Sequence, residues 1–170
     1  MKSLSDIQQI IDSYHELNET VEAANFLIKE YGIQHPNFGN FELREKAKPE
    51  YILMTTEGTF GKPQIIRIPE NTFEFPLILM LNLIAHEMIH VGQKVKENEF
   101  PDRNEREWQA YYEMLFHKTY PQIPDCSVFH QKFFAGKAFD YYKRMGENSE
   151  LQQKYAEQKA EIDTLLASLE

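Results

Sequence analysis

At 170 residues the chain is read as one domain, residues 1–170, able to bury about two-thirds of the surface its unfolded form exposes. A composition of 42% hydrophobic, 26% charged and 13% aromatic residues excludes a long disordered or fibrous chain. The net charge of −9, with Lys and Arg scattered rather than clustered, argues against nucleic acid and anionic membranes as partners. It suits a divalent cation, or neutral or basic substrates.

Cys126 is the sole cysteine, so no internal disulfide can form and a reducing compartment fits. Asp6 and Asp12 interrupt what would be the apolar core of a signal peptide. The most apolar stretch, Phe75 to Ile84, is too short to span a bilayer. These features predict a cytoplasmic protein, non-classical export aside.

In chain order, Leu4 to Tyr31 reads as one amphipathic helix. Ile7, Ile10, Ile11, Tyr14, Leu17, Val21, Ala24 and Ile28 recur at three- and four-residue steps, with Ser3 or Ser5 as cap and Gly32 as terminator. Gln34 to Asn71 is punctuated by Pro and Gly. Within it, Tyr51–Thr56 and Gln64–Ile68 form two β-prone runs, expected to pair antiparallel, and a strand near Phe38–Leu43 is weakly signalled. Helices follow at about Glu74–Gln93, Arg103–Lys118, Val128–Met145 and Asn148–Leu169. The order is N-terminal helix, small antiparallel sheet, then four helices, which is an α+β domain.

Chemistry concentrates in His86-Glu87-Met88-Ile89-His90. Histidines four apart on a helix share a face and can grip one ion, and Glu87 beside them can polarise a water and pass its proton to a leaving amine. Two imidazoles and a carboxylate in an apolar helix need a partner to offset desolvation, and a cation is the obvious one. A catalytic zinc needs a third protein ligand. The metzincin continuation would require Gly at position 93 and His at position 96, where the chain has Gln93 and Lys96. That leaves a distant histidine, His117 or His130, or a glutamate of Asn104-Glu105-Arg106-Glu107-Trp108-Gln109.

With HExxH and this downstream glutamate run, the segment from about Phe75 to Phe116 resembles the gluzincins, thermolysin-like and related zinc metallopeptidases. The resemblance implies a zincin-like fold, Zn2+ as cofactor, a peptide or protein substrate, and Glu87 as catalytic base and acid. Matched residue by residue, it puts the metal on His86, His90 and Glu105. Glu105 also shares a helical stripe with Trp108, Tyr112 and Leu115, whereas Glu107 shares one with Ala110, Tyr111 and Met114; spacing alone does not choose between adjacent stripes. The family usually has Asp where this chain has Gln109.

Tyr111, Tyr112, His117 and His130 are candidate donors to a developing oxyanion. Gln64–Ile68, by analogy with zincins, is an edge on which an extended substrate could add as a strand, or a plain edge strand. Phe129, Phe133, Phe134, Phe139 and Tyr142 read as core. Leu151, Tyr155, Ile162, Leu165 and Leu169 would pack on the N-terminal helix or on a second copy as a homodimer. Cys126 lacks any local activating partner. The rival to a peptidase is a zinc-binding regulatory or interaction module without turnover.

Overall fold

A computed structural model describes residues 2–169. The first helix, α1 (Leu4–Glu16), is capped by the Ser3 hydroxyl, which accepts from the Asp6 N–H, and it buries Ile7 and Ile11. The expected single helix breaks here: Asn18 is left-handed (φ 56°), and Leu17 is 67% exposed. A second helix, α2 (Thr20–Glu30), re-aims the stripe, burying Ala23, Ala24, Leu27 and Ile28. The apolar period was continuous because each half faces the same core; the break leaves it almost in phase.

Three strands follow, β1 (Phe38–Arg44), β2 (Thr55–Glu57) and β3 (Gln64–Pro69), in the spatial order β1-β3-β2. β2 pairs antiparallel with β3, as expected of the two β-prone runs, but only through Thr55, Thr56 and Glu57. β1, the weakly signalled strand, is the longest and pairs parallel with β3, so the sheet is mixed rather than antiparallel. This places β3 in the centre and corrects the edge assignment of Gln64–Ile68. β1 and β2 are the edges instead. β3 is central because Ile66 and Ile68 are fully buried.

A 3-10 turn (Thr72–Glu74) leads into α3 (Leu77–Gln93), whose N-cap is Pro76. Then come α4 (Arg103–Phe116), α5 (Val128–Arg144), α6 (Glu150–Lys154) and α7 (Ala156–Ser168). The expected C-terminal helix is thus split at Tyr155, whose backbone leaves helical geometry (φ −104°, ψ 13°). Among the described residues the chain has seven α-helices and one small mixed sheet, an α+β fold. Among the described residues no helix is long and apolar enough to cross a membrane.

Two apolar cores result. One joins α1, α2, the sheet and the buried face of α3 through Leu77, Met80, Leu81, Ile84, Met88 and Val91. The other lies under α4, α5 and α7, around Trp108, Leu115, Phe134, Ala138 and Ile162. Ile162 therefore packs α7 intramolecularly, on α4 and α5 rather than on the N-terminal helix. Within α5 the aromatic reading needs correction: Phe134 is buried, but Phe129 is 74% and Phe133 51% exposed. Helix α3 contacts both cores, since Ile78, Leu79 and Leu83 reach the second.

Truncating the central strand should test the first core. Ile66→Ala should lower the unfolding free energy by about 2–5 kcal/mol, read from urea denaturation. A loss under about 0.5 kcal/mol, the range of surface substitutions, would contradict the packing described.

Candidate metal centre

The seam between the cores is where α3 faces α4. His86 and His90, one turn apart on α3, bring their Nε2 atoms to 3.2 Å from each other. Glu107 Oε2, from α4, stands 3.5 Å from His86 Nε2 and 3.6 Å from His90 Nε2. Ligands on a tetrahedral zinc with bonds of about 2.0–2.1 Å lie about 3.4 Å apart. The three atoms are therefore spaced as the corners of such a site, and two imidazole nitrogens with one carboxylate oxygen are a donor set zinc accepts.

The electrostatics point the same way. Burial alone would raise the Glu107 carboxyl, but hydrogen bonds from His86 and His90 outweigh it and hold that group far below the usual carboxylate range. Burial alone would depress His90, yet Glu107 and the charge of Glu87 leave its pKa raised. The trio favours positive charge at its centre, whether proton or cation.

Gln93 fixes the His90 tautomer. Its Nε2 donates to the Arg106 carbonyl at 3.0 Å and to Gln109 Oε1 at 2.8 Å. Its Oε1 therefore faces His90 Nδ1, at 2.7 Å. An amide oxygen only accepts, so His90 Nδ1 carries a hydrogen, and Nε2 is the nitrogen that donates to Glu107 when the ring is protonated and that would hold a cation by its lone pair when it is not. Gln109, standing where the resembled family has Asp, thus acts on the histidine through Gln93. His86 is held differently. Its ring packs against those of His90 and Tyr111, with centroids 4.8 and 4.6 Å away, and its buried Nδ1 has no protein partner.

Glu105 is not at this centre. Its Oε1 accepts from Tyr155 Oη at 2.6 Å and from Lys154 Nζ at 2.7 Å, which ties α4 to the α6–α7 junction. Residues two apart on a helix differ by about 200° in direction. If Glu107 faces α3, Glu105 must face the other way. Trp108 did point inward, as expected, but into the second core, where its Nε1 donates to Gln158 Oε1 at 2.8 Å. The inward-facing stripe was read correctly and assigned to the wrong core.

The remaining candidates separate cleanly. Glu87 sits beside the trio, and its Oε2 lies 2.8 Å from Thr56 Oγ1 on β2. Tyr111 lines the same cleft, its phenol pushed up by burial and then by the nearby Glu107. Tyr112 is bonded to Glu161 and Lys118. His117 faces Asp125 at 3.4 Å, and His130 bonds Ser127 at 2.9 Å; neither reaches the metal trio. Thr56, Gln93, Lys94 and Tyr141 are site residues that sequence reasoning missed. Gln93 alone was findable, standing three residues after His90 on the same helix face.

The site opens into a cleft of about 410 Å³ lined by residues 52–56 before and within β2, by α3 and α4, and by Tyr141 of α5. Cys126 lies apart from it, buried, with its thiol pushed up to about 12 by burial and then by Asp125. Comparisons with protein-family models, curated proteins and solved structures find no match to this chain.

Two experiments probe this geometry. Glu107→Ala should abolish tight zinc binding, and Gln93→Ala should weaken it roughly 10–100-fold. Glu105→Ala should instead spare zinc affinity and cost about 1–3 kcal/mol of stability. Chelator competition and denaturation measure the two, and loss of zinc from the Glu105 variant alone would reverse the assignment. Separately, raised thiol pKa and burial predict that iodoacetamide at pH 8 leaves Cys126 unmodified in the native protein and alkylates it once the chain is unfolded. Rapid native labelling would contradict this burial.

Proposed function

We propose that the chain is a zinc-dependent peptidase of zincin-like design. One observation carries the reading: His86, His90 and Glu107 converge beside Glu87 in a cleft bounded by a free strand edge. Zinc, when bound there, supplies Lewis acidity toward a carbonyl and lowers the pKa of a water to about 7.

The chain's own residues do the rest. Thr56 holds Glu87 Oε2, which leaves Oε1 to take a proton from the attacking water and return it to the departing amine nitrogen. The carboxylate is regenerated as the peptide bond breaks. Tyr111 remains protonated at working pH, so its O–H can donate to the oxygen on which charge develops. Among the described residues β2 pairs only with β3. Its other edge is available to an extended peptide, with Ile52, Leu53 and Met54 continuing the wall. The substrate edge of this reading is β2, not β3.

Glu87→Gln keeps the shape of the side chain and removes the base. It should retain one zinc per chain by elemental analysis while peptide turnover falls by about 10²–10⁴. Tyr111→Phe should lower kcat by about 10²–10³ with zinc content unchanged. A zinc-loaded wild type that cleaves no peptide would sink the peptidase reading and favour a zinc-binding module in its place, and a Glu87→Gln protein that cleaves at the wild-type rate would remove Glu87 as the base.

A further inference from the structure

The direction of the two site helices can be read from their contacts. Gln93 meets Arg106 and Gln109, His90 meets Glu107, and His86 meets both Glu107 and Tyr111. Position falls along α3 as it rises along α4, so the helices run antiparallel across the metal trio. One turn beyond His90, α3 therefore carries Lys94 on the same side as Arg103, one turn before Glu107 on α4. Arg106 joins them. All three line the cleft. On the other side of the trio the lining is Leu83, Tyr111 and Tyr141.

The charges at the first end are unspent. Lys2, Arg44, Arg67, Lys118, Lys154 and Lys159 each have a carboxylate within 4 Å. Among the described residues, most other lysines and arginines have none, and of these Lys94, Arg103 and Arg106 are the ones that line the cleft. Lys94 Nζ donates to the Thr56 carbonyl at 2.8 Å, and Arg106 Nη1 donates to the carbonyls of Phe100 and Pro101 at 2.7 and 3.0 Å. Neutral carbonyls position these cations without cancelling them. Glu87 and Glu57 act on Lys94 at longer range, and Glu107 is already committed to the two imidazoles. The lining is thus locally cationic in a chain whose total charge is −9.

We infer that the cleft takes peptides polarised along their length, with a carboxylate seated at Lys94, Arg103 and Arg106 and an apolar or aromatic group at Leu83, Tyr111 and Tyr141. For cleavage this rests on the peptidase reading; for binding it does not. The carboxylate can belong to an acidic side chain or to a free peptide C-terminus. Either replaces its water with fixed cations in a partly desolvated cleft, where a point charge counts for more than on an open surface. The neutral or basic substrates suggested by total charge are then the poorer ligands.

The test uses the zinc-loaded Glu87→Gln protein for binding, by fluorescence anisotropy, and the wild type for kcat/KM. The probes are peptides of equal length containing one Phe. The first set is blocked at both ends and carries Asp, Asn or Lys at successive distances from Phe; the second is uncharged in its side chains but has a free C-terminus. We expect Asp to bind about tenfold better than Lys at one side of Phe only, with the preference shrinking as salt rises. Preference for the second set over its amidated form identifies a terminal carboxylate as the ligand. Arg103, exposed at the first position of α4, can be changed without disturbing the core, and Arg103→Glu should erase or invert the preference, with Arg103→Gln intermediate. Equal binding of Asp and Lys peptides, or an Arg103→Glu preference like wild type, overturns the inference even where cleavage proceeds. Selective binding without cleavage overturns the peptidase reading and leaves the carboxylate site standing. No binding and no cleavage of any probe overturns both.

Discussion

Everything about the site follows from bringing three atoms able to ligate a metal, carried by two helices, to within 3.2–3.6 Å of one another. Two of them come from α3 at a spacing that the helix sets by itself. The third depends on how α4 is rotated and how far it slides along α3, and a rotation of one residue, about 100°, would lose it. That rotation is held from both sides. Toward α3, the Gln93 amide spans the gap to the Arg106 carbonyl and to Gln109. Away from α3, Trp108 fills the second core and Glu105 grips Tyr155 and Lys154. Glu105, the ligand that the gluzincin resemblance implied, instead helps fix the rotation that presents Glu107.

These contacts form one polar chain, from His90 through Gln93, Gln109 and Tyr155 to Glu105. Each bond constrains the donor sense of its neighbours. Gln93 spends its amide hydrogens on α4, which obliges the imidazole to donate from Nδ1. A buried polar network is tolerable only when its members are satisfied, and here satisfaction of the network selects the histidine tautomer that can accept a metal. The split between α6 and α7 has the same origin. Tyr155 leaves helical geometry at the point where its hydroxyl must reach both Gln109 and Glu105. The C-terminal helices therefore back the site as well as closing the second core.

Periodicity made most of the helices legible, because each buries one stripe of apolar residues, and the HExxH spacing located α3's share of the site outright. What escaped were relations between elements. β1 pairs parallel with β3, and parallel partners are not adjacent in sequence, so no local turn announces them. The breaks at Asn18 and Tyr155 leave the apolar phase nearly intact and carry no Gly or Pro to mark them. The exposed Phe129 and Phe133 show that aromatic spacing identifies a face without saying whether anything covers it. Choosing between Glu105 and Glu107 failed for a related reason. The choice assumed one core, so that a buried Trp108 and a metal ligand would share a face; α4 lies between two cores, and burial is available on both its sides.

Net charge illustrates the same limit in electrostatic terms. A total of −9 is a sum over 170 residues, and in salt a bound group senses charge only over about 8–10 Å. Within that range the helices decide the sign. Antiparallel packing puts the C-terminal turn of α3 beside the N-terminal turn of α4, so Lys94 and Arg103, separated by the whole connecting loop in sequence, become neighbours at one end of the cleft. The positive end of the α4 dipole, capped by Asp102, and the negative end of the α3 dipole meet there and offset each other, so the side chains set the sign. The opposite end receives the apolar surface of Leu83, Tyr111 and Tyr141. A site that collects cations at one end and hydrocarbon at the other distinguishes the two directions of a bound chain. The same rotation of α4 that delivers Glu107 to the histidines delivers Arg103 and Tyr111 one turn to either side, so ligand placement and polarity of the cleft are a single consequence of helix packing.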